Sequence, residues 1–333
     1  MLKVALIGSG FVAREHALAY KALPQASLAA IINNEPKYAE KLAEEFSCSI
    51  YETLDDALKE NKIDIADVCV PTYLHERYVI QAAQAGCHVL CEKPVTFTLD
   101  SFDRMTAACR ENGVTFMVAQ VARWWPEFIS IREYLLGEKL GKIQMIYEKR
   151  LCRLPSWTAW HRDPEKSGGG LYDLNIHDID FLVSIYGKPK SVYAIGWKTE
   201  LGCWMHVVSN LKWGNGVKAV VETCLDMPGP WPFSIEFRGS GEKGTLHYAL
   251  QAGLNITDGE RGSNYTWYPA GTEEKQPLTV AQGSMFRDEI EEFVLAVMQG
   301  RQPAVTAEQS RQVLEVVLAT QRSLEEGIIA EID

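Results

Sequence analysis

A pair of residues capable of acid–base chemistry follows a run of three glycines. Asp173 and His177 lie four positions apart behind Gly168-Gly169-Gly170, a spacing that places two side chains on one face of a helix. An imidazole with an ordinary pKa near ~6.5 can accept a proton at neutral pH, and a carboxylate can orient it or bind a substrate hydroxyl. The alternative is an exposed helical pair worth about 0.5 kcal/mol or less.

Lys93 is the second candidate for chemistry. It follows the predicted strand 88–91 in the segment Glu92-Lys93-Pro94, and open α/β sheets bind ligands at the carboxyl ends of their strands. An ammonium group there can stabilise negative charge that develops on a substrate oxygen. The sequence leaves open whether Lys93 or His177 takes the proton. The alternative is a solvated lysine whose surface partner is Glu92.

A glycine-rich turn near the N-terminus predicts a dinucleotide site. Residues 8–13, Gly-Ser-Gly-Phe-Val-Ala, fit the pattern G-x-G-x-x-A directly after a predicted strand and open a helix. Gly8 permits the tight turn, Gly10 lets the backbone approach a pyrophosphate, and Ala13 allows close helix–strand packing. The helix N-terminus supplies free N–H groups. The predicted contacts in this turn are Gly8, Gly10, Phe11 and Val12.

The residue that ends the second predicted strand bears on the choice between NAD and NADP. A carboxylate usually stands there to bind the adenosine ribose, but this chain has Asn33, followed by Asn34. No carboxylate at Asn33 repels a 2′-phosphate, and no arginine is present to bind one, although Lys37 is close. The sequence therefore predicts NAD or NADP without deciding between them.

The predicted order of strands and helices, which position these residues, changes along the chain. Strands and helices alternate up to about residue 122, which predicts a doubly wound parallel sheet. From Ser191 to Tyr268 long strands follow one another across short turns, which predicts an antiparallel sheet. We therefore predict an α/β protein with a dinucleotide-binding domain at 1–122. Residues 123–333 then form a domain for substrate binding, catalysis and oligomerisation, with its final helices expected near the first domain.

Composition excludes several classes of function. The 333 residues carry a formal net charge of −11, which argues against binding to nucleic acid or to an anionic membrane surface. No apolar run approaches the ~18 residues that span a bilayer. The eight cysteines show no C-x-x-C pair and no export signal precedes them, so we expect free thiols in a reducing, cytoplasmic compartment.

We expect no metal site. Cys87 and Cys91 are close in sequence, but two further ligands are absent nearby. Alternation of Cys87, Val89 and Cys91 along a buried strand explains them better, since a free cysteine behaves as a small hydrophobic residue.

Four signatures together resemble the glucose–fructose oxidoreductase / inositol dehydrogenase / rhizopine-catabolism (Gfo/Idh/MocA) family over nearly the whole chain. They occur in the order of the family, and none is specific alone. The signatures are the glycine turn; Pro71-Thr72-Tyr73-Leu74-His75 with Glu92-Lys93-Pro94; Gly168-Gly169-Gly170 with Asp173 and His177; and Phe286 to Phe293 with Pro303-Ala304-Val305-Thr306.

The resemblance implies a Rossmann domain followed by a domain with a large, predominantly antiparallel sheet. It also implies an NAD(P)-dependent oxidoreductase whose small-molecule substrates are mostly sugars, polyols or their derivatives. Lys93, Asp173 and His177 fall on the catalytic positions of the family. Two departures are Asn175, where the family often has glycine, and Thr72, in place of asparagine after the proline. The further cofactor contacts that we predict are Pro71, Thr72, His75, Glu92, Lys93 and Arg123.

Two of these contacts, and two acidic residues after the glycines, have open roles. His75 lies near the nicotinamide or caps the helix that it precedes. Arg123 is expected to contact the cofactor, whereas Trp124 and Trp125 are expected to pack at the domain junction. We expect Asp178 and Asp180 to solvate their helix instead of taking part in catalysis.

The loop before the glycine triplet carries the residue types that bind sugars. Trp157 and Trp160 can stack on a pyranose ring, and Arg162, beside His161, can bind a carboxylate or phosphate. The alternative is that the tryptophans pack the loop onto its own domain or onto a neighbouring subunit. The predicted substrate contacts are Lys93, Trp157, Trp160, His161, Arg162, Asp173 and His177.

Other functions remain open beside a sugar or polyol oxidoreductase. One is an enzyme for a non-sugar such as an imine, a dihydrodiol or biliverdin. Another is a cofactor-binding regulator without activity, although Lys93, Asp173 and His177 are all present.

Strand patterns predict an oligomer. Ile235 and Phe237 share one face of a strand, as do Tyr193, Ile195 and Trp197. The helices available cannot cover both faces of the second sheet, and exposed apolar surface usually marks an interface. We therefore predict a homodimer, or a homotetramer of such dimers, joined through the second-domain sheet.

Overall fold

The chain forms two compact units. The structure is a computed structural model that describes residues 1–154, 160–253 and 262–333. The first unit comprises Met1–Trp124 and Gly283–Arg311, and the second comprises Trp125–Gln282 and Gln312–Asp333. Within the described residues, no helix combines the length and the apolar character needed to cross a bilayer.

Strands and helices are numbered along the chain. The strands are β1 (Leu2–Ile7), β2 (Ala26–Ile32), β3 (Ser49–Tyr51), β4 (Ile65–Val68), β5 (His88–Glu92), β6 (Phe116–Ala119), β7 (Ile143–Leu151), β8 (Ser191–Lys198), β9 (Trp204–Lys212), β10 (Lys218–Cys224), β11 (Ser234–Gly241), β12 (Gly244–Gln251), β13 (Gly262–Pro269), β14 (Gln276–Pro277) and β15 (Ala330–Glu331). The helices are α1 (Phe11–Ala22), α2 (Glu40–Phe46), α3 (Leu54–Glu60), α4 (His75–Gln84), α5 (Leu99–Glu111), α6 (Pro126–Leu136), α7 (Ile176–Tyr186), α8 (Met285–Gln299) and α9 (Ala307–Glu326).

The first unit is built on a parallel six-stranded sheet. Its strand order is β3-β2-β1-β4-β5-β6, so β1 has β2 on one side and β4 on the other. The strand order reverses at this point, which is where open α/β sheets bind ligands at their carboxyl ends. The loops after β1 and β4 therefore flank the expected dinucleotide crevice, and the predicted Rossmann architecture is confirmed.

Residues 283–311 join the first unit although they lie far along the sequence. Three apolar residues on one face of α8, Ile290, Phe293 and Val294, are fully buried against the sheet residues Val4 and Leu90. An amphipathic helix must bury its apolar face, and this core supplies the surface. By contrast, the sequence prediction placed all residues after 122 in the second domain, with its last helices near the first.

The second unit contains a nine-stranded sheet in the order β14-β13-β12-β11-β7-β10-β9-β8-β15. All neighbouring strands are antiparallel except β7 and β10, as the pattern of consecutive strands predicted. One face packs under helices through an aromatic cluster. The ring of Phe128 in α6 lies 4.8 Å, edge to face, from Phe181 in α7, and Phe181 in turn contacts Phe237 of β11.

The two alternating strand patterns fall on opposite faces of this sheet. Ile235 and Phe237 are buried under the helices. Tyr193, Ile195 and Trp197 point to the other face and are 40%, 55% and 54% exposed. Toward the middle of the sheet, this open face is polar. Its paired side chains include Tyr147 with Glu222 at 2.9 Å and Lys149 with Glu236 at 2.6 Å.

Six of the eight cysteines are buried, and Cys48 and Cys69 are half-buried. All eight are free, and Cys87, Val89 and Cys91 alternate with no exposed surface along β5 and the residue before it. The predicted alternation on a buried strand is confirmed.

Candidate active site

The glycine turn after β1 has a conformation that requires Gly8. Its φ of +115° lies in the region that L side chains avoid, and an added Cβ would lie 2.5 Å from the carbonyl oxygen of Cys69. The Gly8 N–H donates to the carbonyl of Ile32 at 2.9 Å. Gly8 therefore lets the β1 turn pass directly over the loop after β4.

Gly10 has a different role in the same turn. It is the N-cap of α1 in extended conformation, without a side-chain cap, and no acidic residue lies in the first helical turn. A Cβ at Gly10 would have no atom within 4 Å. The first N–H groups of a helix have no partner inside it, so those of Phe11 and Val12 at this exposed end can bind an anion. The open space at Gly10 fits a dinucleotide pyrophosphate.

Asn33 braces the turn from the end of β2. Its Nδ2 donates to the Ser9 hydroxyl at 2.7 Å, and its Oδ1 accepts from the Glu35 backbone N–H at 2.8 Å. The neighbouring Asn34 is exposed, and the Lys37 ammonium pairs with Glu35 at 3.1 Å. The region thus places both a cation, Lys37, and a carboxylate, Glu35, near the Asn33 amide. These groups do not select between NAD and NADP.

His75 fastens two loops together. A 3₁₀ turn from Thr72 to Leu74 follows Pro71 and leads into α4. The buried ring of His75 places Nε2 2.8 Å from the Val70 carbonyl and Nδ1 3.2 Å from the Val95 carbonyl. Burial lowers the pKa of His75. Its ring nitrogens meet loop carbonyls instead of capping α4.

Lys93 leaves the carboxyl end of β5 and is half-buried. Its backbone N–H donates to Oε2 of Glu92 at 3.0 Å. Glu92 is buried, and its other oxygen, Oε1, lies 3.2 Å from Nε2 of His16. The sequence prediction missed His16, although an imidazole on the apolar face of α1, between Ala13 and Ala17, was a signal that could have found it.

Arg123 belongs to the first unit. It lies in the 3₁₀ turn Val121–Trp124, and its Nη1 donates to Oε1 of Gln309 at 2.9 Å. This bond holds the guanidinium near the start of α9.

The glycine triplet packs against a strand of the second unit. Gly168 and Gly169 both have φ of +70°, and a Cβ on Gly170 would lie 2.6 Å from the Met205 carbonyl in β9. We expected the triplet to allow close approach to a ligand, but these contacts show that it allows close approach to β9. The triplet therefore fixes where the following helix begins.

Asp173 and His177 do not lie on one regular helix. A π-helical turn, Leu171–Asn175, carries Asp173, and α7 carries His177. Within the turn, Asn175 is fully buried and donates to the Thr223 hydroxyl in β10 at 3.0 Å. Single π turns are frequent at functional sites. The Asn175 bond anchors the turn between the two candidate residues.

His161 joins this group. Its Nε2 lies 4.0 Å from Oδ2 of Asp173, and its ring stacks on Trp160 at a centroid distance of 4.1 Å. Nη2 of Arg162 lies 3.7 Å from Oδ2 of Asp226, and the Arg162 side chain is about half exposed. The predicted contact Trp157 lies outside the described residues. The second unit thus brings Trp160, His161 and Asp173 together.

The prediction that Asp178 and Asp180 solvate α7 is wrong. Both are buried, and Asp178 accepts from Arg150 Nη2 at 2.7 Å. α7 is buried on all sides from Ile176 to Val183, so both carboxylates lie in the interior, where a charged group needs a partner.

Two family models match the chain. Residues 2–120 match the model described as "Oxidoreductase family, NAD-binding Rossmann fold", and residues 128–247 match the GFO/IDH/MocA C-terminal domain. Together they cover more than half of the sequence.

Characterised proteins are similar over nearly the full length. The NADP(+)-dependent D-xylose 1-dehydrogenase 2 of Haloferax volcanii is 27% identical, with 92% of each chain covered. The inositol 2-dehydrogenase of Rhizobium meliloti is 25% identical over 98% of this chain and 97% of its own. Among solved structures, the aldose–aldose oxidoreductase of Caulobacter crescentus, complexed with glycerol, is 22% identical with a TM-score of 0.86 over 99% of both chains.

Proposed function

Because the chain belongs to the GFO/IDH/MocA family of NAD-binding oxidoreductases, we propose that it transfers a hydride between a nicotinamide dinucleotide and a sugar or cyclic polyol. The reacting group is a secondary alcohol or the matching ketone. The full-length similarity to a xylose dehydrogenase and an inositol dehydrogenase supports this substrate class.

One observation carries the substrate proposal. In the second unit, a stacked indole and imidazole, Trp160 and His161, lie beside Asp173. An aromatic face suits the C–H face of a sugar ring, and a carboxylate suits its hydroxyls. This combination favours a polyhydroxylated ring over an apolar substrate.

The roles of the polar groups follow from their chemistry. The bound nicotinamide supplies the hydride acceptor or donor. Lys93 stabilises the charge that develops on the substrate oxygen, and either Lys93 or His177 takes the proton. Asp173 binds a substrate hydroxyl or orients an imidazole. Trp157, Trp160, His161 and Arg162 bind the rest of the sugar.

The cofactor lies on the first unit in this proposal. The turn residues Gly8, Gly10, Phe11 and Val12 bind the pyrophosphate, and Asn33 and Asn34 border the adenosine ribose. Further contacts come from the loops after β4 and β5 and from the turn after β6, and these are Pro71, Thr72, His75, Glu92, Lys93 and Arg123.

Assembly and location belong to the same proposal. The apolar edge formed by Tyr193, Ile195 and Trp197 supports a homodimer or homotetramer through the open sheet face. The eight free thiols support work in a reducing compartment, the cytoplasm.

A substrate screen tests the proposal. Sugars, sugar acids, nucleotide sugars and inositols are incubated with NAD and with NADP, and reduced nicotinamide is followed by absorbance. The matched control is the Lys93→Ala variant. Turnover of a sugar or polyol that the variant loses is the expected result. Turnover only of dihydrodiols or imines, or of no compound in a protein that binds the cofactor, would contradict it.

A further inference from the structure

A histidine on the helix of the glycine turn is buried between two carboxylates. His16, on the inner side of α1, places Nδ1 2.9 Å from Oδ2 of Asp67 in β4. Its Nε2 lies 3.2 Å from Oε1 of Glu92 at the end of β5, at ion-pair distance but without the alignment of a hydrogen bond. His16 and Asp67 have no exposed surface, and Glu92 is 7% exposed.

This arrangement favours an imidazolium. Burial is the largest single effect and disfavours the charged ring, but the Asp67 carboxylate and the Cys69 sulfur, 3.5 Å from Nδ1, together outweigh it, and the pKa of His16 is raised well above its ordinary value. A neutral imidazole would turn a lone pair toward one of the carboxylates, whereas an imidazolium donates to Asp67 and keeps its positive charge 3.2 Å from Glu92. A buried carboxylate without a partner is costly, so the positive ring stabilises both Asp67 and Glu92.

Other groups around the ring come from several elements. The Cys69 thiol, after β4, donates to Oδ1 of Asp67 at 3.3 Å, and burial raises the pKa of Cys69. The Phe286 ring lies 5.9 Å from the imidazole. Tyr20, one turn further along α1, and Glu289 of α8 are also buried in this region. The carboxylates of Asp67 and Glu92 are the acidic groups at contact distance from the imidazole nitrogens.

Glu92 connects the imidazole to the lysine. One carboxylate oxygen faces His16, and the other accepts the backbone N–H of Lys93 at 3.0 Å. The contacts therefore run from α1, which begins at the glycine turn, to the main chain from which the Lys93 side chain leaves.

We propose that His16 is a positioning residue for Lys93. As an imidazolium it holds the Glu92 carboxylate in the orientation that fixes the Lys93 backbone, and it ties that segment to the helix that binds the pyrophosphate. A catalytic group displaced by about 1 Å can lose about 10²-fold in rate, which is why such a buried support affects turnover. The inference rests on the proposed role of Lys93 in hydride transfer.

Metal binding is the competing explanation for the same residues. In the described parts of the chain, His16, Asp67 and Cys69 form one group whose ligand atoms lie within 4.8 Å of one another. A cysteine binds metal as the thiolate, whereas this thiol donates to Asp67 and its pKa is raised. The direct hydrogen bonds account for the cluster, and metal analysis of the purified protein is one arm of the test.

Kinetics test the positioning role. His16→Gln and Glu92→Gln should each lower kcat by about 10- to 100-fold. For His16→Gln, NADH affinity from fluorescence titration should stay within about threefold, because the His16 side chain has no exposed surface and lies outside the glycine turn. The double variant should lose no more than the worse single one, since both act through one contact. Met117→Leu is the matched control, because it alters the same buried core without changing a polar group, and it should keep kcat.

A second measurement needs no substrate. An amine-selective reagent acylates Lys93 at a rate that depends on pH. Mass spectrometry of the peptide that contains Lys93 measures this rate from pH 6 to pH 10. We expect the profile to change by at least about threefold in His16→Gln and not in Met117→Leu, because the environment of the ammonium changes only in the former. Ring ¹⁵N shifts should show His16 doubly protonated at pH 7 in the wild type.

These readouts separate the two proposals. A failed substrate screen together with altered Lys93 acylation would reject the sugar oxidoreductase but keep the positioning role. Unchanged acylation in folded His16→Gln, an equal change in Met117→Leu, a neutral His16 ring, or one equivalent of bound zinc would each overturn the role of His16. Should His16→Gln fail to fold, Glu92→Gln carries the same comparison.

Discussion

Arg150 and Asp178 form a two-point ion pair inside the second unit. Nε and Nη2 of Arg150 donate to the carboxylate at 3.1 and 2.7 Å, and both side chains are almost completely buried. Asp178 directly follows His177 in α7, and Arg150 lies in β7. The pair therefore fixes α7 against the sheet and sets the position of the candidate base.

Removing one partner of this pair should destabilise the second unit strongly. Asp178→Ala leaves the Arg150 guanidinium buried without its partner, and we expect a loss of about 3–5 kcal/mol in the free energy of unfolding, measured by urea denaturation. The control is the double variant Arg150→Met, Asp178→Leu, which should recover most of that loss. The double variant could instead lose as much stability as the two single substitutions at Arg150 and Asp178 added together. That result would show that the ion pair itself supplies the stability.

Glu148 should make stability depend on pH in the opposite sense from an ordinary carboxylate. Burial, with the nearby charge of Asp178, raises the pKa of Glu148 well above its usual value. Above the unfolded pKa near ~4.3, the unfolded chain gives up this proton while the folded chain keeps it, so the contribution to stability falls as pH rises. Each unit of difference between the two pKa values is worth about 1.4 kcal/mol at full effect.

Glu148→Gln tests this sign. The variant removes the ionisable group, so we expect its stability relative to the wild type to increase from pH 4.5 to pH 8. The measurement is urea unfolding at both pH values, with Glu236→Gln on the open face as control. A gain for Glu148→Gln that is equal at both pH values would contradict a protonated Glu148.

Local sequence patterns predicted the parts of this molecule that depend on neighbouring residues. The turn at Gly8 and Gly10 follows from spacing within six residues, and the alternation of Ile235 with Phe237 follows from the period of a strand. The apolar face of α8 was also visible. The core around Val4, against which that face packs, could not be predicted. A sequence pattern shows that a helix face is buried, but it does not show which element covers it.

The functional residues that the sequence analysis missed can be recognised only from contacts between elements that are distant in sequence. His16, Asp67 and Glu92 come from α1, β4 and β5, and each looks like an isolated polar residue in an apolar segment. Their interaction becomes visible only in the fold, where the parallel sheet places the ends of β4 and β5 beside α1. The π turn that carries Asp173 was missed for a related reason, since its extra residue is set by packing of Asn175 on Thr223.

Gly10→Val should abolish dinucleotide binding without unfolding the protein. The backbone at Gly10 is extended and its Cβ direction is open, so a branched side chain fits the protein but occupies the place of the pyrophosphate. Calorimetric titration with NADH and NADPH measures the loss. Gly262→Val, at a site in the second unit that is also open and has no positive φ, serves as the control. Unchanged affinity in folded Gly10→Val would remove the cofactor site from this turn.

Lys93→Ala and His177→Ala should each lower kcat by about 10²- to 10⁴-fold, the range for positioned acid–base groups. Cofactor affinity should change by no more than a few-fold, because neither side chain is part of the glycine turn. Steady-state rates with a substrate from the screen provide the measurement. Lys62→Ala, whose side chain is 84% exposed, is the control. Near-normal rates in both variants would place the chemistry elsewhere.

The exposed edge of the second sheet should hold two copies of the chain together. Tyr193, Ile195 and Trp197 form an apolar row on β8, and the polar residues in the middle of the same face already pair among themselves, as Lys149 does with Glu236. A row of this kind is stabilised when another apolar surface covers it, and a two-fold axis lets the same row meet its copy.

Light scattering at micromolar concentration measures the assembly. We expect about 75 kDa, twice the 37.3 kDa of one chain, or twice that value again for a tetramer. Ile195→Glu with Trp197→Glu should reduce the mass to that of a monomer, because two carboxylates would then have to be buried in an apolar contact. Leu136→Glu on α6 is the matched control, since Leu136 is as exposed as Trp197, at 54%, but lies off the sheet. A wild-type mass of one chain, or an equal effect of Leu136→Glu, would show that the β8 edge remains exposed to water.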